Sequence, residues 1–292
     1  MPDLLSLGDC NPDLVLIGGD LVPAFGQREQ LVDRAVLTIG GSAAIMACGA
    51  ARLGVETALV AAVGSDPHGD YVVGAVGGRG VDVSGVRRVE APTGLTVILS
   101  RGDDRAILTS TGAMTALRAA DVDADVLSGV RHLHIASYFL LDGLRPGLPG
   151  LVAAAREAGV TVSLDPQDDP AGRWRSGLPE LLPHLDLLFV NESESAALDT
   201  SACPLVVVKR GPRGAAARTP GGEVRQPAVR VESVDATGAG DSFDAGFLAA
   251  WLGGADVQEA LALGCACGAL STRALGGTDA QPSRAEAEAA FR

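Results

Sequence analysis

Residues 234–247 read VDATGAGDSFDAGF. Asp235 and Asp241 flank Thr237-Gly238-Ala239-Gly240, and an apolar run follows from Phe243. Small residues at the mouth of a helix leave backbone N–H groups without partners, and such a terminus favours an anion. Glycine lets the backbone come close to that anion. A carboxylate repels the same anion, so Asp241 needs another task there. Accepting a proton from an attacking hydroxyl is one that fits. Asp is also a favoured N-cap residue, and a cap needs no ligand at all. On the local residues both readings stay open. No Lys follows the glycines, so this is not a lysine-bearing phosphate loop, and it lacks the G-x-G-x-x-G spacing of a dinucleotide fold.

The rest of the chain has to hold that turn in place. Its 292 residues suffice for one large α/β domain, read here as a single domain over 1–292. Hydrophobic residues make up 47% and charged residues 20%, the balance of an ordinary globular interior. Aromatics are only 3%, so Val, Leu and Ala must build the core, a palette suited to buried parallel strands under alanine-rich helices. The formal net charge is -13 and no stretch concentrates Lys and Arg, which argues against a nucleic-acid partner. An acidic protein still binds a phosphate ligand where backbone N–H groups and a metal ion meet it locally. Cys10, Cys48, Cys203, Cys265 and Cys267 show no paired spacing and read as buried thiols. The first residues carry acids among apolar positions and no basic run, and nothing resembles a clean membrane span. The expectation is a cytoplasmic protein with no membrane partner.

Short apolar runs at 4–9, 57–64, 130–137, 160–166, 184–191 and 204–211 read as buried strands. Between and after them, 41–53, 150–159, 243–252 and 259–273 read as helices, with a further helix near 69–77 and a terminal one through AEAEAA. Strands alternating with helices predict a mostly parallel sheet covered on both faces. Two extended stretches break that rhythm. Residues 12–30, and the hairpin pattern either side of RGDDR at 89–109, are expected to form a small β sheet projecting from one edge as a lid.

DATGAGD (235–241) resembles the C-terminal signature D-[TA]-x-G-A-G-D of the ribokinase-like (PfkB) carbohydrate kinases. The likeness runs along nearly the whole chain. TIGGSAAIMACGAARLG (38–54) is similar to the family's N-terminal signature, and GDCNPDL (8–14) to its opening strand. NESE (191–194), VVVKRGPRGA (206–215) and GGTDAQPS (276–283) follow in the family's order. The resemblance implies a three-layer α/β sandwich with a small β lid and an enzyme that uses ATP and Mg²⁺ to phosphorylate a hydroxyl of a sugar or sugar-like molecule. It implies Asp241 as the base and Gly238, Ala239 and Gly240 as an anion hole over the transferring phosphoryl group. Asn11, Asp13, Gly41 and Ser42 fall at its substrate positions, together with Asp241. Asn191 and Glu194 fall where the family organises Mg²⁺, here expected through water, although an Asn cap followed by a solvated Glu accounts for the same spacing. Lys209 falls at a position facing the nucleotide phosphates, and Gly211 and Gly214 at the turn beside the nucleotide. Asp235 and Thr237 correspond to a loop for a monovalent cation such as K⁺, though Asp235 also fits a plain turn acceptor. Lids of this family often make a homodimer contact.

The chain departs from the family at Ile45, where an Asn usually bonds a sugar hydroxyl. Replacing an amide by Ile leaves that hydroxyl unpaired, which counts against ribose or fructose held in the usual way. A deoxysugar, a nucleoside or another less polar acceptor remains compatible. SLDPQDDPAGRW (163–174) resembles a DPN-x-R-x-x-x-W stretch with Gln167 at the Asn position, and it offers Arg173 for an anionic group while Trp174 packs. His132 and His134 sit in an apolar strand and read as core residues. A nucleoside kinase is the near alternative, and a silent sugar-binding regulator of the same fold the distant one.

Overall fold

Period-two alternation inside the short apolar runs decides the layering. Leu5, Leu7, Leu133, Ile135, Leu188 and Val190 pack into one core, whereas Leu4, Leu187 and Phe189 pack into another on the opposite face. A strand that buries both sets of side chains belongs in the middle of a three-layer protein. The structure is a computed structural model that describes residues 2–19, 21–101 and 104–291.

In chain order the first half comprises β1 (Leu4–Leu7), β2 (Asn11–Ile17), β3 (Arg34–Gly40), α1 (Ser42–Arg52), β4 (Thr57–Gly64), α2 (Pro67–Gly77), β5 (Val86–Val89), β6 (Leu95–Arg101) and β7 (Asp104–Ser110). The next stretch holds α3 (Ala124–Gly129), β8 (His132–Ala136), α4 (Leu148–Glu157), β9 (Thr161–Asp165), α5 (Leu178–Leu181), β10 (Leu187–Asn191) and α6 (Glu192–Ala197). The chain ends with β11 (Val206–Lys209), β12 (Ala215–Thr219), β13 (Gly222–Gln226), α7 (Ala239–Leu252), α8 (Val257–Ser271) and α9 (Arg284–Ala290).

Nine strands form one sheet in the order β13-β12-β11-β10-β9-β8-β1-β4-β5. Every neighbouring pair from β11 to β5 is parallel, and the β11–β12 and β12–β13 pairs at one edge are antiparallel. Helices α4 and α5 cover one face, while α1, α2, α7 and α8 cover the other. The C-terminal ends of β1, β9, β10 and β11 therefore open toward the N-terminus of α7, the place where parallel α/β sheets put their ligands.

A second sheet of four strands, β3-β2-β6-β7, rises from this edge as the lid. The hairpin expected around RGDDR forms, with Ile98 opposite Ile107, while its tip at 102–103 lies outside the described residues. The stretch 12–30 turns out differently. Strand β2 stops at Ile17, where Gly18 and Gly19 take positive φ of 85° and 73°, and no strand is present in the described residues from 21 to 33. The lid's remaining strand is Arg34–Gly40, which pairs antiparallel with β2 and was not anticipated from the sequence. Of its first four residues only Arg34 is polar and three are exposed, so no polar-apolar alternation marks its start.

Candidate active site

Helix α7 starts at Ala239, ahead of the apolar run that had marked it, so Asp241 lies inside the first turn. The N-cap position belongs to Gly238, in a left-handed conformation (φ 68°) with no side-chain cap bond. A Cβ there would come within 2.7 Å of Gly277 Cα and 2.9 Å of Ile45 Cγ2, so only glycine fits. Asp241 is thus not the helix cap. Its Oδ1 accepts a hydrogen bond from Gln167 Nε2 at 3.0 Å, and the Ser42 side chain bonds it as well.

Two cavities meet at this helix end. Asp241 and Gly238 line the first, of about 480 Å³, together with Asn11, Asp13, Gly41 and Ser42. Lid residues Thr96, Ile98, Arg105 and Ile107 close it from above, and Gln167 and Asp168 from the side. Ala239 and Gly240 line the second cavity, of about 510 Å³, with Lys209, Gly211 and Gly214. Its walls are apolar, including Val229, Val231 and Phe243, which suits a flat aromatic base. The first turn of α7 thus separates the two spaces and presents its unpartnered N–H groups at the boundary.

Burial pushes the Asp241 carboxyl up to about 8, with Lys209 lowering it and Asp165 and Asp9 raising it further. Asp13 is raised to about 7, first by burial and then by Asp9. Asn11 donates to Asp13 Oδ1 at 3.2 Å and to Thr96 Oγ1 at 3.1 Å, while its own buried Oδ1 has no partner. An orphaned buried acceptor facing a cavity fits a hydroxyl donor from a ligand.

Asn191 and Glu194 form a capping box at α6: Glu194 N donates to Asn191 Oδ1 at 2.9 Å, and Asn191 N donates to Glu194 Oε2 at 2.8 Å. The cap reading of this pair is correct, but Glu194 is not solvated. It is buried, and burial followed by Asp165 raises its carboxyl to about 7. Lys209 lines the second cavity with its stem, yet its ammonium turns inward to Asp165 and to both oxygens of Asp244 at 3.2 Å. Asp235 Oδ1 accepts from Thr237 N and Thr237 Oγ1 at 2.9 and 2.8 Å, and its Oδ2 from Gly276 N at 2.8 Å. It ties the entry of α7 to the chain's closing segment.

Ile45 is buried and lines the first cavity. His132 and His134 are core residues bonded to Thr161 and Ser163, and burial keeps both imidazoles neutral. Trp174 packs edge-on against Phe139 at 5.6 Å, and Arg173 is exposed. The five cysteines are free and buried. Sequence reasoning missed Asp9, Asp165, Asp244 and Arg105. The i, i+3 spacing of Asp241 and Asp244 was the one available signal, since it puts both carboxyls on one helix face.

The pfkB family carbohydrate kinase profile matches residues 1–284. The chain belongs to the pfkB family of carbohydrate kinases. Among similar proteins, an ATP-dependent ribose-1-phosphate kinase of Halopiger xanaduensis is 36% identical over 100% of this chain and 98% of its own. A nucleoside kinase of Methanothermobacter thermautotrophicus is 31% identical over 75% of this chain and 73% of its own. Arabidopsis thaliana ribokinase, solved with ribose and ATP, superimposes with a TM-score of 0.86 at 26% identity, covering 100% of this chain and 99% of that one. No described helix of this kinase is long and apolar enough to cross a membrane.

Replacing Asp241 with Asn keeps the shape and the bond from Gln167 but removes the proton acceptor. Turnover is expected to fall by about 10²–10⁴-fold. Stability moves the other way. Between 3.8 and about 8 the folded protein holds a proton that the unfolded chain has released, so wild-type stability falls as pH rises through that window. D241N escapes this loss, and thermal melts should show it gaining more over wild type near pH 8.5 than near pH 5. Turnover equal to wild type would remove Asp241 from the base role.

Proposed function

We propose that this kinase acts on a pentose that already carries a phosphate, with ribose 1-phosphate the first candidate, transferring the γ-phosphoryl group of ATP to its primary hydroxyl. The broader activity, ATP- and Mg²⁺-dependent phosphorylation of a small sugar- or nucleoside-like acceptor, follows from the family. Arg105 carries the finer reading. It lines the first cavity from strand β7, whereas the other charged residues lining that cavity among the described ones are Asp9, Asp13, Asp168 and Asp241. A wall of carboxylates repels an anionic acceptor unless a guanidinium receives it, and the planar fork of Arg matches phosphate bidentately. The name of the Halopiger relative supports the same acceptor. Apolar Ile98, Met114 and Leu140 on the same cavity favour one alternative, a nucleoside.

In the proposed reaction the acceptor oxygen attacks the γ-phosphorus as its proton passes to Asp241. The new O–P bond forms, the bond to the bridging oxygen breaks, and ADP departs with that electron pair. Gln167 donates to Oδ1 of Asp241 and holds the carboxyl at the wall of the acceptor cavity. The N–H groups of Gly238, Ala239 and Gly240 face the charge that builds on the phosphoryl oxygens. Both oxygens of Glu194 are engaged by Asn191, and no group of three or more His, Cys, Asp or Glu suited to a metal occurs among the described residues. That donor set fits an ion held by phosphates and water, with Asn191 and Glu194 ordering the water. Mg²⁺, when bound, neutralises charge on the nucleotide phosphates.

Two further features belong to the proposal. Asp235 is buried, and no cationic side chain pairs with it among the described residues, which fits K⁺ in the loop it shares with Thr237. The lid's outer face carries two apolar rows in register, Leu37-Leu14-Val97-Leu108 and Ala35-Leu16-Leu99-Ala106. Leu108 is 59% exposed and Leu37 40%. Such a face needs cover, and a second copy's lid meeting it would form a homodimer.

Acceptor specificity is tested by kcat/KM for ribose 1-phosphate, ribose and a nucleoside panel at saturating Mg-ATP. Ribose 1-phosphate should lead, and Arg105→Ala should raise its KM about tenfold or more while leaving uncharged acceptors unchanged. A nucleoside in first place, insensitive to that substitution, would overturn the reading. Turnover should rise when K⁺ replaces tetramethylammonium at constant ionic strength; equal rates in both would eliminate the cation. Sedimentation should give a dimer for wild type and a monomer for Leu108→Asp. A monomeric wild type would refute the lid interface.

A further inference from the structure

Beneath the first turn of α7 lies a buried charge cluster that the transfer step leaves unused. Lys209, at the end of β11, reaches Asp165 at the end of β9 and Asp244 on α7. The lysine side chain is 13% exposed, and the two carboxylates 2% and 1%. Nζ also lies 5.9 Å from the centre of the Phe189 ring. The stem passes directly under the anion hole, because a Cβ built on Gly240 would stand 3.2 Å from Nζ and 3.7 Å from Cε. One ammonium therefore joins two strands of the sheet to the helix that carries Gly240 and Asp241.

We infer that Lys209 is a positioning residue for phosphoryl transfer: clamped between Asp165 and Asp244, it fixes the first turn of α7 from behind and supplies the positive charge that faces Asp241, instead of binding a nucleotide phosphate. Breaking a buried pair leaves an uncompensated charge, so the clamp is rigid once formed. Its protonation pattern agrees with the geometry. Burial would raise the Asp165 carboxyl, but Lys209 and a hydrogen bond from Asp244 hold it below its ordinary value. Asp244 is pushed well above the usual range by burial, with Lys209 opposing the shift and Asp165 adding to it. For Lys209, burial favours the neutral amine, but Asp165, Asp244 and Glu194 outweigh it and keep the ammonium charged. The charged groups that act on Asp241 are Lys209 from β11, Asp165 from β9 and Asp9 from the β1–β2 turn, with Ser42 and Gln167 as neutral donors.

The inference rests on Asp241 as the base, so the decisive measurements include two that do not depend on it. Lys209→Met keeps the length of the stem and removes the charge. Its Kd for Mg-ATP by calorimetry should stay within about threefold of wild type, while kcat near pH 7 falls roughly 10²-fold, the penalty of a misplaced reacting group. The acid limb of its kcat/KM profile should move up by about one pH unit or more, as expected on losing a cation near a carboxyl. Lys209→Met with Asp165→Asn removes the stranded carboxylate as well; it should recover most of the melting temperature lost in the single variant and return the limb toward wild type. Weakening of Mg-ATP binding by tenfold or more with an unmoved limb would make Lys209 a phosphate ligand and overturn the inference. So would a double variant no more stable than the single one, and the double variant decides the matter even if Lys209→Met alone fails to fold.

Discussion

A helix can stabilise a phosphoryl group only where its bare N–H donors reach the ligand and no side chain stands between. That demand shapes the first turn of α7. Gly238 has to be glycine because Ile45 and Gly277 press against it, and at Gly240 a Cβ would crowd the Lys209 ammonium at 3.2 Å. The turn is consequently thin enough to be reached from both sides. One side faces a polar cavity under the lid and the other an apolar slot at the sheet edge. A hydroxyl and a phosphate anhydride brought to the two sides meet across it, which is the geometry a direct transfer needs.

Placing that turn at the C-terminal ends of parallel strands gathers acids from distant parts of the chain. Asp9, Asp165, Glu194, Asp241 and Asp244 are all buried there, and none shares an element with more than one of the others. Burying so many carboxyls is costly, and the protein meets the cost in two ways. Burial raises several of them, so they release their protons at higher pH than an exposed carboxyl would. Asp165 instead stays ionised against Lys209. Stability is thereby exchanged for a carboxyl that releases and takes up a proton near neutrality, a common feature of active sites. The lid adds to this by covering the polar cavity, which strengthens every charge interaction inside it.

Much of this was legible in the residues alone. Period-two apolar runs alternating with helical stretches announced the parallel sheet. DATGAGD announced an anion site beside a carboxylate, because both depend on neighbours a few residues apart. Asn11, Asp13, Gly41 and Ser42 came from family likeness, and they do gather in one cavity with Asp241. Local patterns also misled. The start of α7 was placed at Phe243 because apolar content marks burial and not helicity, and this left the cap and base readings of Asp241 undecided. Strand β3 went unseen because its exposed first half carries no alternation.

Long-range pairing accounts for the remainder. Lys209 is separated from Asp165 and Asp244 by 44 and 35 residues, and only the parallel order of β9, β10 and β11 brings the three together. Nothing near Lys209 in the sequence distinguishes an ammonium that meets a ligand from one that braces the interior. Arg105 likewise drew no notice in the sequence, and only the register of β7 against β6 places it on the wall of the first cavity. Residue chemistry is local and can be read along the chain; which charge meets which depends on strand order and register, and those are properties of the whole fold.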